Sequence, residues 1–448
     1  MKFDAARARK WLPAPVRTVG RHARNLVRLP WVRRYELLTN ALAGHPLAFV
    51  SLPLGRRAGY DVREVVSFAA YAAEHPPGLR VLFDRPTQLH YAAPRFDGDA
   101  RPTQIGDDLV ASAGPHRYGA VFTGCEVVGG SSLILLPDGR ALHDLASHDP
   151  DRRYRYTDEA SRYQDAERFL VTAPDVGPTI PRGLYLGGNF GWNLYHLLVE
   201  LLIKLPMADA LALSADVPLL VDAVVTTVPQ FGRLLALLNP SGRRVIPLTK
   251  GVRYRVDELT VLSSPNFIPP NLVHDYDLRP SDTRFDLAAL DDLRAALLAA
   301  HAPTARATAF PRRCYLSRRK ASVRRRFNED DVLAVLRRYG FEEVFPEDLS
   351  IDDQIALFQQ AEQIVGGSGA AFTNLLFCSA GCQVLVLAKT QLPAAVFSTL
   401  AAHVGAELRY VTAESGDETL LLDFHEAFTI DPARIEAALS TWSEEPAS

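Results

Sequence analysis

Two α/β halves in tandem, facing a cleft and preceded by a β-rich region, are the fold class that the sequence predicts. Three observations carry that expectation. The 448 residues suffice for two to three domains, each able to bury its own core. Apolar residues at 48% and charged residues at 23% are ordinary globular usage, which argues against wholesale disorder. From about Val171 onward strand patterns alternate with helical ones, and such alternation argues for parallel layering.

Residues 1–40 form the first segment. Ten Lys and Arg residues stand there against Asp4 and Glu36, interleaved with Phe3, Trp11, Leu12, Val16, Leu26, Leu29 and Trp31. A basic stretch of this kind can make peripheral contact with an anionic membrane surface, and it can equally be a solvated leader or dock on the chain's own body.

Residues 41–285 are read as the N-terminal half. To about residue 170, LAFVSL, LRVLFD, DDLVASA and YGAVFTGCEVV are strand patterns between turn residues, with Pro137-Asp138-Gly139 as one turn. Beyond them, PLLVDAVV precedes the helical FGRLLALLN, and RVIPLT and DELTVLSS read as further strands. Residues 286–448 are read as the C-terminal half, opening on the helical LAALDDLRAALLAAHA. There RCYLSR, FEEVF, EQIVGG and QVLVLA alternate as strands with the helical EDDVLAVLRRYG, SIDDQIALFQQA and GAAFTNLLFCSA, the order βαβαβαβ. Asn328 with Asp331 and Ser350 with Asp353 are expected to cap two of those helices, and Gly340 to end the first. Ligands in such folds bind at the carboxyl ends of the strands.

Composition narrows the function classes. A net charge of −3 gives no chain-wide field to attract nucleic acid. None of Cys125, Cys314, Cys378 and Cys382 forms a CxxC pair, so reduced thiols are expected rather than a zinc or disulfide framework. No run of eighteen apolar residues exists, and the N-terminus is charged where a signal peptide needs its apolar core. A cytoplasmic protein, at most peripheral on the inner face of the plasma membrane, is the expectation.

Three constellations carry chemistry. Between Arg312 and Arg326 eight of fifteen residues are basic, with no acid before Glu329. The run lies after a strand and before a helix start, where guanidinium groups and free N–H groups hold phosphate. A solvated basic loop and a nucleic-acid patch are the competing readings, the latter weakened by the lack of interleaved aromatics for stacking. The second is Val365-Gly366-Gly367-Ser368-Gly369-Ala370-Ala371-Phe372-Thr373-Asn374, a strand entering a glycine turn, where missing side chains let backbone N–H groups approach an anion. Its spacing fits neither a nicotinamide nor a P-loop motif. The third is Gly187-Gly188-Asn189-Phe190-Gly191-Trp192-Asn193-Leu194-Tyr195-His196, followed by an apolar helix on which His196, Glu200 and Lys204 are spaced i, i+4, i+8 on one face. Asn193 is placed to cap that helix.

GGNFGWNLYHLLVELLIKL, YLSRRKASVRRRFNED, LSIDDQI before LFQQAEQIVG, and GGSGAAFTNLLF, in that order, resemble glycosyltransferase family 61 over about residues 110–410. The resemblance implies two Rossmann-like halves in the GT-B arrangement, the nucleotide-sugar donor on the C-terminal half and the acceptor largely on the N-terminal half. It also implies inverting transfer with no metal and no cofactor. Carried over residue by residue, His196 matches the helix histidine, Glu200 stands where Asp is usual and Lys204 where Arg is usual. Arg318 and Arg325 match the arginines before Asn328 and Glu329, and Asn374 closes the glycine turn. Ser368 departs from the pattern, standing where the family has a histidine.

On this reading His196 or Glu200 is the base for the acceptor hydroxyl, with no choice between them from sequence. Arg318, Arg324, Arg325, Asn328, Glu329, Gly367, Ser368, Gly369 and Asn374 face the donor, while Asn189, Asn193 and Lys204 lie on the acceptor side. The expected partners are a nucleotide-sugar donor and a glycan or lipid-linked glycan acceptor, in surface polysaccharide synthesis. The competing class is a non-catalytic nucleotide- or glycan-binding subunit of an envelope assembly complex, which the replacement by Ser368 would suit. Asp275-Tyr276-Asp277, an Asp-x-Asp beside a proline-rich stretch, is read as a turn rather than a metal site.

Overall fold

A computed structural model describes residues 60–97, 108–143, 158–164, 168–172, 175–268, 279–305, 309–320, 326–389, 395–413 and 427–443. The basic leader, the LAFVSL pattern, Asp275 to Asp277, Arg324 and Arg325 lie outside these residues.

The expected β-rich opening is present. A mixed eleven-stranded sheet gathers it, and the long strand Arg117–Val128 runs antiparallel to Arg253–Leu262. That second strand joins the opening region to the first parallel series. Val245–Leu248, Leu219–Asp222, Ile180–Tyr185 and Arg253–Leu262 lie side by side in that order, all parallel. The helix Phe68–Ala73, capped by Ser67, was not anticipated from the strand patterns around it.

The second sheet has five strands, all parallel, in the spatial order Glu342–Val344, Arg313–Leu316, Gln363–Gly367, Gln383–Ala388, Glu407–Thr412. In chain order this is 2-1-3-4-5, a doubly wound arrangement whose switch point lies between the first and third strands. Its inner strands Gln363–Gly367 and Gln383–Ala388 are largely apolar because both faces are covered, while the edge strand Glu342–Val344 is polar. Cys314, Ile364, Val384 and Val386 enter one core, and Tyr315, Val365, Leu385 and Leu387 the other, where Val332, Leu336, Leu439 and Trp442 from two helices meet them. The helix Ile351–Gln360 is capped by Ser350 as expected, with the Asp353 N–H donating to its hydroxyl at 3.1 Å. Gly340 ends Glu329–Arg338 at φ +78°, a conformation natural to glycine. The GAAFTNLLF segment is a 3₁₀ helix, Ala370–Phe377, rather than an α-helix.

The two parallel series are not separate bodies meeting only across a cleft. One apolar core runs from Leu184, Leu198 and Phe231 through Leu290 to Phe372, Leu375 and Val384. Arg233 clamps Asp352 with two hydrogen bonds of 2.7 and 2.8 Å, tying the helix Pro229–Leu237 to Ile351–Gln360. The opening region reaches across as well. Ala92 exchanges hydrogen bonds with Thr399 and Ser398 of the helix Val396–Val404, and residues 95–97 pair with Tyr410, covering the edge strand of the second sheet.

Candidate active site

The N-terminal turn follows the strand Ile180–Tyr185 and is pinned from below by carboxylates. Asp222, at the end of Leu219–Asp222, accepts the Gly188 N–H at 3.1 Å and the Gly130 N–H at 2.7 Å. A Cβ on Gly191 would lie 2.7 Å from Asp222 Oδ2, so glycine is required there. Burial raises the Asp222 pKa to about 6, while those two backbone donors pull it back. Asn189 donates its N–H to Ser132 Oγ at 3.0 Å, and neighbouring Ser131 donates to the buried Asp158 at 2.6 Å. The turn is therefore fixed by a polar network that sequence spacing does not reveal.

On this base sits an aromatic run. Phe190 holds φ +59°, a strained conformation for a bulky side chain, with its carbonyl accepting the Asn193 N–H at 2.8 Å. Its ring centroid is 4.9 Å from that of His196 and 6.1 Å from that of Trp192, which is 56% exposed. Asn193 caps the turn Leu194–His196 through its side-chain oxygen, which accepts the Tyr195 N–H at 2.9 Å.

The next segment, Leu197–Leu202, is a π-helix, not the regular α-helix that the spacing implied. Such bulges recur at functional sites, and this one is apolar nearly all round, with Leu197, Leu198, Val199, Leu201 and Leu202 buried. His196 and Glu200 still meet. His196 Nδ1 is hydrogen-bonded to Glu200 Oε1, and their side chains keep 22% and 17% exposure. Lys204, expected beside them on the acceptor side, is buried instead. Burial lowers its pKa to about 8, with the Glu200 carboxylate opposing that shift.

The C-terminal turn lies at the switch point of the five-stranded sheet. A recess opens there, lined by Arg318, Phe327, Gly367, Ser368, Leu387, Ala388, Lys389 and Phe428. Arg318 Nη1 donates to the Ser368 carbonyl at 3.1 Å. A Cβ on Gly367 would lie 2.8 Å from both the Arg318 stem and the Phe327 ring, and one on Gly369 would fall on Arg318 Nη1. These glycines make room for a guanidinium. The expectation that they free backbone N–H groups for an anion is corrected at Ser368, whose N–H donates to the Leu387 carbonyl at 2.8 Å. Burial pushes the Arg318 pKa down, and Glu347 and Glu329 oppose that shift.

Asn328 and Glu329 build the recess rather than line it. Glu329 Oε1 accepts from Ser317 Oγ and from the Arg318 N–H, both at 2.8 Å, and so fixes the chain that carries the guanidinium. Asn328 does not cap its helix through its side chain. It exchanges two hydrogen bonds with the Ile430 backbone, at 3.0 and 2.9 Å, holding the segment that delivers Phe428. Asn374 also departs from expectation: it is fully buried beneath the turn, bonded to Gln354 at 2.9 Å, with its Oδ1 unpartnered.

Four other described members of the basic run have local partners. Arg312 and Arg313 donate to backbone carbonyls, Arg319 pairs with Asp330 and Glu343, and Lys320 pairs with Asp348 over the Phe345 ring. Lys389, Phe327, Phe428 and Asp222 were not anticipated. Lys389 follows QVLVLA at the carboxyl end of a central strand, a position the general rule for such sheets singles out. Phe428 carries no local pattern.

The two turns belong to one assembly. Leu194–His196 packs on Ala370–Phe377. The Tyr195 ring stands edge-on to Phe397, and Phe397 meets Phe372 at 5.7 Å. Residues 194–385, which span both constellations from His196 through Asn374, match the family model described as Glycosyltransferase 61. No curated protein matches the chain. A strand-borne cationic recess, a His–Glu pair packed against its helix, and the family match across both agree: residues 194–385 are a glycosyltransferase family 61 domain.

Proposed function

We propose that this glycosyltransferase moves a sugar, with inversion and without a metal, from a nucleoside diphosphate to a hydroxyl of a glycan or lipid-linked glycan in surface polysaccharide synthesis at the inner face of the plasma membrane. The observation that supports it best is the hydrogen bond from His196 Nδ1 to Glu200. When Nδ1 carries the proton toward the carboxylate, Nε2 holds the lone pair, and the acceptor proton goes there. His196 is then the base and Glu200 its orienter. The acceptor oxygen bonds to the anomeric carbon as the bond to the phosphate oxygen breaks on the opposite face. The electron pair leaves with the diphosphate, whose charge Arg318 meets.

The test starts from a thermal-shift panel of nucleotide sugars, since a ligand of the folded state raises the melting temperature. With the stabilising donor, His196→Ala is expected to lower kcat by about a hundredfold to ten-thousandfold at unchanged donor affinity. Glu200→Gln should cost less, and transfer should survive excess EDTA. A folded His196→Ala protein with normal kcat would end this assignment. A wild type that binds donors tightly and transfers or releases sugar from none would instead be a binding subunit.

A further inference from the structure

We infer that Lys389 and the Phe327–Phe428 pair complete the donor site, with Lys389 and Arg318 holding the diphosphate between them and Phe428 forming the wall against which the nucleobase lies. The inference rests on the nucleotide-donor reading above and adds Lys389 and Phe428, which lie beyond the family match ending at 385, and Phe327 within it. Two observations on the recess carry it. Its described lining holds two cations and no carboxylate, an arrangement suited to an anion. Its other wall is aromatic: the Phe327 and Phe428 rings stack at 5.3 Å with an interplanar angle of 17°, and both are only part-buried. A flat, half-buried aromatic wall beside paired cations fits a base joined to a phosphate.

The backbone brings these groups together by independent routes. Gly367 pairs with Leu387 across adjacent strands, and Ser368 bonds the Leu387 carbonyl, so Lys389 emerges one strand away from the carbonyl that Arg318 grips. Phe428 arrives from the C-terminal segment, whose backbone N–H bonds Arg326 and whose Ile430 is held by Asn328. One Asn–Glu pair thus sets both walls, Asn328 the aromatic one and Glu329 the cationic one.

Calorimetric titration of the full chain with UDP, CDP, GDP and ADP, and with pyrophosphate as a base-free probe, tests the assignment. Phe428→Leu should weaken the best nucleotide by about tenfold and leave pyrophosphate within about twofold. Lys389→Met should weaken both by about tenfold. Melting curves for both variants confirm that they fold, and Lys389→Arg should restore most of the phosphate affinity. Wild-type affinity for the nucleotide in both variants would overturn the inference while leaving the donor reading intact. Equal loss of pyrophosphate and nucleotide in Phe428→Leu would overturn the nucleobase wall. Absence of binding by the wild type to all four nucleotides would overturn the donor reading and this inference together.

Discussion

The two glycine turns look alike in sequence and are opposite in charge. Each follows a buried parallel strand and each leads into a helix. The turn at Gly187 to Gly191 is braced by a carboxylate: Asp222 takes two backbone N–H groups and fills the space that Gly191 leaves empty. The turn at Gly366 to Gly369 is braced by a cation: Arg318 donates to a backbone carbonyl and fills the space that Gly369 leaves empty. Missing side chains therefore mark close approach, and the sign of the approaching group decides what the turn can bind. A carboxylate beneath the first turn turns anions away from it, so on the donor reading proposed above the diphosphate lies at the second.

Alanine at the two tight glycines should separate these roles most widely. In Gly369→Ala the new Cβ meets the end of a flexible side chain, which can swing aside. The fold should survive while nucleotide affinity falls by about tenfold to a hundredfold, as expected when a charge-assisted phosphate contact is lost. In Gly191→Ala the Cβ meets a buried carboxylate already held by two donors, which has nowhere to go. Nucleotide affinity should hold while stability falls by about 1–3 kcal/mol, the usual cost of overpacking. Calorimetry and melting curves on both variants check this. Equal effects on affinity would mean that the two turns do not divide the work by charge.

Removing the braces themselves should separate the two turns in the same readouts. Asp222→Ala leaves the Gly130 and Gly188 N–H groups without their acceptor, at about 1–3 kcal/mol for a buried unpaired group. Arg318→Ala leaves one carbonyl that solvent can reach and should melt near the wild type. Nucleotide binding should show the reverse order, with Arg318→Ala impaired and Asp222→Ala intact. If Asp222→Ala melted normally, the polar network under the first turn would not be what holds it.

How far each turn could be read from sequence follows the same division. The alternation of apolar strands and helices in 286–448 fixed its layering, because strands covered on both faces have few other ways to fold. The Ser350 cap and the Gly340 stop were legible because each depends on residues a few positions away. The His196–Glu200 contact was legible for that reason too. Asp222 under Gly188 and Phe428 beside Phe327 were not, since each pair is joined only by tertiary packing. Asn328 misled because its side chain found a partner a hundred residues on, at Ile430, in place of the local cap. The basic run is only partly legible, and Arg324 and Arg325 lie outside the described residues. Density alone does not say which of its members face a ligand: Arg312, Arg313, Arg319 and Lys320 are spent on neighbouring carbonyls and carboxylates, and Arg318 alone of the described members enters the recess.

Lys204 offers the most specific test of the contrast, because it is a buried cation on the carboxylate-braced side. Burial holds its pKa down at about 8, below the ordinary lysine value, although Glu200 opposes the shift. Below pH 8 the ammonium is charged in both the folded and the unfolded chain, so the full penalty of burying it is present. Between pH 8 and the ordinary value the unfolded chain still carries the proton while the folded one has released it, so stability rises with pH across that window. Lys204→Met removes the buried charge and keeps most of the volume. It should therefore raise stability by about 1–3 kcal/mol at pH 7, in line with other replacements of buried charges by apolar groups. That gain should shrink between pH 8 and pH 10. Turnover should fall at the same time, because the attraction between the buried ammonium and the Glu200 carboxylate is lost. Melting temperatures of both proteins at pH 7 and pH 9.5, with turnover measured at pH 7, decide the matter. A variant less stable than the wild type at pH 7 would show that Lys204 is a structural tie rather than a charge held at a cost for the His196–Glu200 pair.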